Sequence, residues 1–142
     1  MKAFYTALMS KFNALTGSAH NAFWTSVNGR LYNTEAPQEA EYPHAVFLHV
    51  SGIQADTFKS DVDEILIQFS IFSDSQSSVE VHDAMTNLKA LFDDVTLSVT
   101  GGTVVQFVRQ QEGLQKEDVD TPSGAQRVWH YHVDYRVVFE RT

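Results

Sequence analysis

The sequence predicts an α+β fold, a mainly antiparallel β-sheet with two principal helices packed on one face and a long C-terminal strand. Three observations predict it. The elements run helix, strands, helix, strands, with hairpin-type connections and no regular βαβ alternation, which favours an antiparallel sheet with segregated helices. Two stretches carry apolar residues at spacings of three and four, the signature of an amphipathic helix. The last seventeen or so residues alternate strictly between two side-chain sets, the signature of a half-buried strand.

The first helix rests on Phe4, Tyr5, Leu8, Met9, Phe12 and Leu15, with Lys2, Lys11 and Asn13 on other faces, and is expected to end near Gly17. His20 to Val27 extends this as a short helical turn holding Phe23 and Trp24. Asn28-Gly29 marks a turn, and Arg30-Leu31-Tyr32 a short strand. A polar loop containing Pro37, Glu39 and Glu41 leads to Tyr42-Pro43, where proline biases its predecessor to extended geometry. His44 to Val50 then reads as an apolar strand. In the next one Ile65, Ile67, Phe69 and Ile71 face the core and alternate with Leu66, Gln68 and Ser70.

Ser77 and Glu80 stand at capping-box spacing before the second principal helix, whose apolar face is Val81, Met85, Leu88 and Phe92 with Ala84 and Leu91 beside it. Val95 to Val99 and Thr103 to Gln110 are β-rich and joined at Gly101-Gly102, a hairpin turn. Gly113 to Gly124, with Lys116, Glu117, Asp118, Asp120 and Pro122, has the composition of a mobile loop and is longer than a hairpin requires. In the final strand Trp129, Tyr131, Val133, Tyr135, Val137 and Phe139 alternate with His130, His132, Asp134, Arg136, Val138 and Glu140. From Val128 to Arg141 it would reach roughly 40 Å, well beyond an ordinary strand of about 5–6 residues. It is therefore expected to bend or to overhang the body.

Composition narrows the function classes. With 142 residues, 43% hydrophobic, one domain over 1–142 with one core is the expectation. Eighteen Asp and Glu against ten Lys and Arg give a formal net charge of -8, and no segment gathers the cations into the basic stripe that phosphate binding needs. The absence of cysteine removes disulfides, thiolate nucleophiles and Cys-based zinc sites. Met1 to Leu15 lacks the continuous apolar run of a signal peptide, and no run approaches membrane-spanning length, so synthesis in the cytoplasm is expected.

The candidates for chemistry are few. His130, His132 and Asp134 lie on one strand face and are the candidate metal ligands; solvated or interfacial polar positions are the blander reading, and it outweighs the metal one. Asp61, Asp63 and Glu64 cluster before a strand, and Asp93-Asp94 ends the second principal helix; both read as solvated turns. No G-x-S-x-G elbow and no phosphate-binding glycine loop occurs. Neither a cofactor nor catalysis is expected.

The order of these landmarks over almost the whole chain resembles the family of phage tail completion or tail terminator proteins, the tail-to-head joining proteins of siphophages. The residues that carry the resemblance are the helix with Leu8 and Phe12, Gly29-Arg30-Leu31-Tyr32, the Pro37 loop to Tyr42-Pro43, Ala45 to Val50, Ile65 to Ser73, Val79 to Phe92, the Gly101-Gly102 hairpin and the long final strand. The resemblance implies a non-enzymatic virion subunit, typically a homohexameric ring, on the head-proximal end of the tail tube. It would stop tube polymerisation and meet the head-completion, stopper or neck protein, while genomic DNA passes the lumen without sequence-specific binding. Leu114, Gln115, Lys116, Glu117, Asp118, Val119, Asp120, Thr121 and Pro122 are then the candidate assembly loop, ordering against the tube or neck. The alternatives are another neck or baseplate subunit, a small metal- or ligand-binding domain, and a host-interaction protein.

Overall fold

A computed structural model describes residues 2–54, 61–121 and 124–142. One six-stranded sheet organises them. Its strands are β3 (Leu31–Asn33), β4 (His44–Gln54), β5 (Asp61–Ser73), β6 (Leu97–Val99), β7 (Gly102–Thr121) and β8 (Gly124–Arg141), in the spatial order β3-β4-β5-β8-β7-β6. Every neighbouring pair is antiparallel except β3 with β4. The α+β expectation is thus met, with strands longer than the sequence suggested.

Helix α1 (Lys2–Asn13) buries Phe4, Leu8 and Phe12, one residue per turn. It ends earlier than Gly17 because the chain reverses there: Gly17 sits at φ 66 and closes a two-residue hairpin of β1 (Leu15–Thr16) and β2 (Ala19–His20). Asn21 then joins two helix ends. Its amide donates to the Phe12 carbonyl (2.7 Å), one of those left open at the end of α1, and its carbonyl oxygen accepts from Trp24 N (2.8 Å) as the N-cap of α2 (Ala22–Ser26). The cap delivers Phe23 into the core, edge-on to Phe12.

Helix α3 (Val79–Phe92) buries Val81, Ala84, Leu88 and Phe92. The capping box does not form. Ser78 is the N-cap and makes no side-chain cap bond. Glu80 instead accepts from the fully buried Ser73 hydroxyl (2.6 Å), whose oxygen accepts from Ser75 N (3.3 Å) but whose proton would otherwise lack an acceptor. Phe92 stacks on Phe69 (4.9 Å) and Phe107 (5.7 Å), and Tyr135 packs against both of those rings, so α3, β5, β7 and β8 meet in one aromatic cluster.

The largest departure from expectation is the segment read as a mobile loop. From Leu114 to Thr121 the chain continues β7, paired residue for residue with β8 from Leu114↔Tyr131 to Thr121↔Gly124. Polarity misled the reading: toward its tip the ribbon has little to bury, Val128 at its base being the fully buried exception, so Gln115, Glu117, Asp118 and Asp120 are compatible with a strand. Gly113 permits the approach, since a Cβ there would lie 2.7 Å from the His132 ring. Pro122 lies outside the described residues.

Candidate assembly surface

Strand β8 presents two different faces. Tyr131, Val133, Tyr135 and Val137 are fully buried against the helices, while His130, His132, Asp134 and Arg136 point to the helix-free side of the sheet. The three candidate metal ligands share that face, as the alternation required, but the structure gives them other work. Asp134, only 7% exposed, spans three strands: one oxygen accepts from Gln68 Nε2 on β5 (3.0 Å), the other from Gln111 Nε2 on β7 (2.9 Å). Both acceptors of a buried carboxylate are thereby engaged. His130 stacks on Phe72 (4.5 Å), with Nδ1 at Glu117 (2.9 Å) and Nε2 at Ser70 (3.0 Å). His132 meets His130 edge-on and lies beside Gly113. Among the described residues no three His, Asp or Glu side chains converge as a metal site does.

The helix side of the sheet holds a network that the sequence did not disclose. The Tyr135 hydroxyl donates to Asp93 (2.6 Å) and that of Tyr131 to Glu112 (2.5 Å). Arg109 bridges the two carboxylates, at 3.4 Å from Asp93 and 3.2 Å from Glu112, and Lys89 reaches Glu112 at 2.6 Å. Burial, and then the adjoining carboxylates, push both phenols upward, so they remain donors. Partial burial would raise Glu112, but its bonds to Lys89 and Tyr131 outweigh that and hold it below the usual carboxylate range. Asp93 is therefore the joint between the end of α3 and strands β7 and β8, and not the solvated turn expected of it. Asp94 adds a backbone bond, its N–H donating to the Phe107 carbonyl of β7 (2.9 Å). The signal lay in Tyr131 and Tyr135 themselves: a buried tyrosine hydroxyl needs a partner.

The acidic run Asp61, Asp63 and Glu64 is also in a strand, at the start of β5. Asp63 pairs with Arg141 (3.3 Å) and Glu64 with Arg136 (3.6 Å) on β8. Of the nine Lys and Arg among the described residues, six are held in such ion pairs: Arg30, Lys89, Arg109, Arg127, Arg136 and Arg141. Little cationic surface is left to track a phosphate backbone.

The candidate assembly residues occupy an arm. Strand β5 ends its pairing with β8 at Ser73↔Trp129, so Glu117–Thr121 and Gly124–Val128 run on as a two-stranded ribbon of about 16 Å, the overhang that the strand length foretold. Its base is fixed. Leu114 packs on the core, the Lys116 ammonium lies 4.7 Å from the Trp129 ring centre, and the His130 bond, first among its causes, holds Glu117 below the usual carboxylate range. Gln115 at the base is exposed; toward the tip Asp118 pairs with Arg127 (3.3 Å), Asp120 is exposed and Val119 is half-buried.

Among curated proteins, none matches the sequence. By structure the chain resembles one from a solved particle described as the virion of a native gene transfer agent, with a TM-score of 0.68 at 11% identity, covering 98% of this chain and 96% of that one. At that identity the likeness establishes the fold alone. The family model described as tail completion protein gp17 matches residues 13–140. That span takes in the Asn21 cap and the whole sheet except the last residue of β8, and on it the chain belongs to the tail completion protein gp17 family, a family of structural virion proteins.

Proposed function

We propose that the chain is a tail terminator subunit, working as one domain over 1–142. Six copies close into a ring on the head-proximal end of the tail tube, stop its polymerisation and offer the opposite rim to a head-completion, stopper or neck protein. The observation that carries this reading is the family match over residues 13–140. The surface agrees with it. Side chains with chemical potential are committed to internal bonds, as a subunit that works by shape requires, and the paired cations leave a channel through which DNA can slide without sticking. The arm is a preformed contact element for the tube or neck, in place of a loop that orders on assembly.

Electron microscopy of particles made with and without the protein tests the proposal. Its absence should give tails of uncontrolled length or tails that fail to join heads, and labelled protein should sit at the neck. Normal particles would sink the reading, and label at the distal tip would favour a baseplate role.

A further inference from the structure

We propose that neighbouring copies of this chain pair edge to edge, β4 of one against β7 of the next, so that the sheet continues antiparallel from subunit to subunit. The inference rests on the ring reading and adds the contact that builds the ring. Both outermost strands are short: β3 covers β4 only at Ala45–Phe47, and β6 covers β7 only at Gly102–Val104. Asp94 reaches Phe107, and among the described residues no strand lies beyond β4 from Leu48 or beyond β7 from Val108.

The two open stretches stand at the same height. Following the register across the sheet, Leu48 lies level with Gln68, Asp134 and Gln111, and Ser51 with Leu66, Arg136 and Val108. Leu48–Ser51 of one copy can therefore face Val108–Gln111 of another without sliding. Strand direction also fits. Three antiparallel steps separate β4 from β7, so the two run oppositely, and rotation about an axis along the strands brings them together as an antiparallel pair. Each stretch holds a bulge at this height, at Val50 in β4 and Gln110 in β7.

The β4 edge carries no charge or proline to guard it, and its Ser51 carbonyl has the His49 ring Nε2 at 2.9 Å. His44–Gln54 contains no Lys, Arg, Asp, Glu or Pro, the usual means of blunting an exposed edge, and Leu48 and Val50 are 36% and 49% exposed. Along Val108–Glu112 the β7 edge opens into a groove of about 310 Å³ walled by Asp93 and Asp94, with room for an uncharged strand. Different patches on opposite sides of one subunit make a head-to-tail contact, which generates a ring when its rotation closes and a filament when it does not. A four-residue ladder alone falls short of an ordinary interface of about 1,600 Å². The arm continues the same β7 edge and brings further contact.

The chain has no cysteine, so single-cysteine variants give a clean test. Leu48→Cys would be mixed under oxidising conditions with Gln111→Cys, and with Val108→Cys and Gln115→Cys on the same sheet face to allow a slip of register. We expect one mixture to form disulfide-linked dimers while each variant alone does not, and Leu48→Cys with Arg109→Cys, on the opposite face, to form none. The pair Leu48→Lys and Val50→Lys should fold with the wild-type melting temperature but lose ring-sized species in native mass spectrometry. Rings that form in every variant without any cross-link would overturn edge pairing and leave the ring reading standing. Wild-type protein that stays monomeric even on tail tubes would overturn both.

Discussion

Asp134 separates a structural from a metal-binding reading of the outer face, and Asp134→Ala is the sharpest perturbation of it. The carboxylate accepts two amide bonds, at 3.0 Å from Gln68 and 2.9 Å from Gln111, in a position 7% exposed. Hydrogen bonds to a charged group contribute about 1.5–3 kcal/mol each. The Gln111 amide, on an exposed residue, can turn to water, so its bond counts near the lower limit; the half-buried Gln68 has less freedom. The expected loss is about 3 kcal/mol, or on the order of 10 °C in melting temperature for a chain of this size. Gln68→Ala should lose more than Gln111→Ala, and Asp134→Asn should fall between wild type and alanine, because its amide replaces one acceptor by a donor. Urea and thermal melts, with and without added zinc, measure this. A loss below about 1 kcal/mol would refute the accounting. Wild-type protein that gains several degrees from stoichiometric zinc, and loses the gain in Asp134→Ala, would refute the structural reading itself.

Three further outcomes follow from the same geometry. Phe92→Ala, removing a ring stacked on Phe69 and Phe107, should destabilise by about 3–5 kcal/mol in denaturant titration, whereas Val79→Ala, 63% exposed on the same helix, should stay within about 0.5 kcal/mol. Glu112 and Glu117 both titrate below their ordinary value of 4.5, so their stabilisation is complete above that value and is lost as the pH falls through their folded values. Melting temperature measured from pH 6 to 3 should therefore drop below about pH 4.5, and Glu112→Gln should flatten the slope. Replacing Asp118–Arg127 by Asn-Gly joins the opposed pair Glu117 and Val128 through a two-residue turn. This should leave the melting temperature within a few degrees of wild type but abolish tail capping in an in vitro joining assay.

What the sequence disclosed divides along physical lines. Elements with a core to fill announced themselves by period: Phe4, Leu8 and Phe12 for α1, Ile65 to Ile71 for β5, Tyr131 to Val137 for β8. Elements shaped by polar bonds did not. Glu80 fits a capping box by spacing, yet Ser73, seven residues away and fully buried, has the greater need for its carboxylate. Asp93-Asp94 looks solvated until β8 brings Tyr135 beside it across 42 positions. Outer-face residues were placed correctly, because alternation fixes sides, but not their partners, because register joins Gln68 and Gln111 to Asp134 only once three strands align. The arm was the hardest case, since a strand without a core keeps no apolar period to read.

These divisions bear on how such a chain can act. Among the described residues the Tyr131 and Tyr135 hydroxyls, the carboxylates of Asp93, Glu112 and Asp134 and the arginines of the sheet are paired within the subunit, so a partner gains little by competing for them. What remains unspent at the two sides of the sheet is backbone: the β4 edge past β3 and the β7 edge running into the arm. Backbone edges recognise another strand by direction and height and depend little on side-chain identity. A contact of that kind tolerates wide sequence change while the sheet is kept. On this argument, substitutions on the exposed faces of α1 and α3 should leave assembly intact, while a single charge set into Leu48–Ser51 should not.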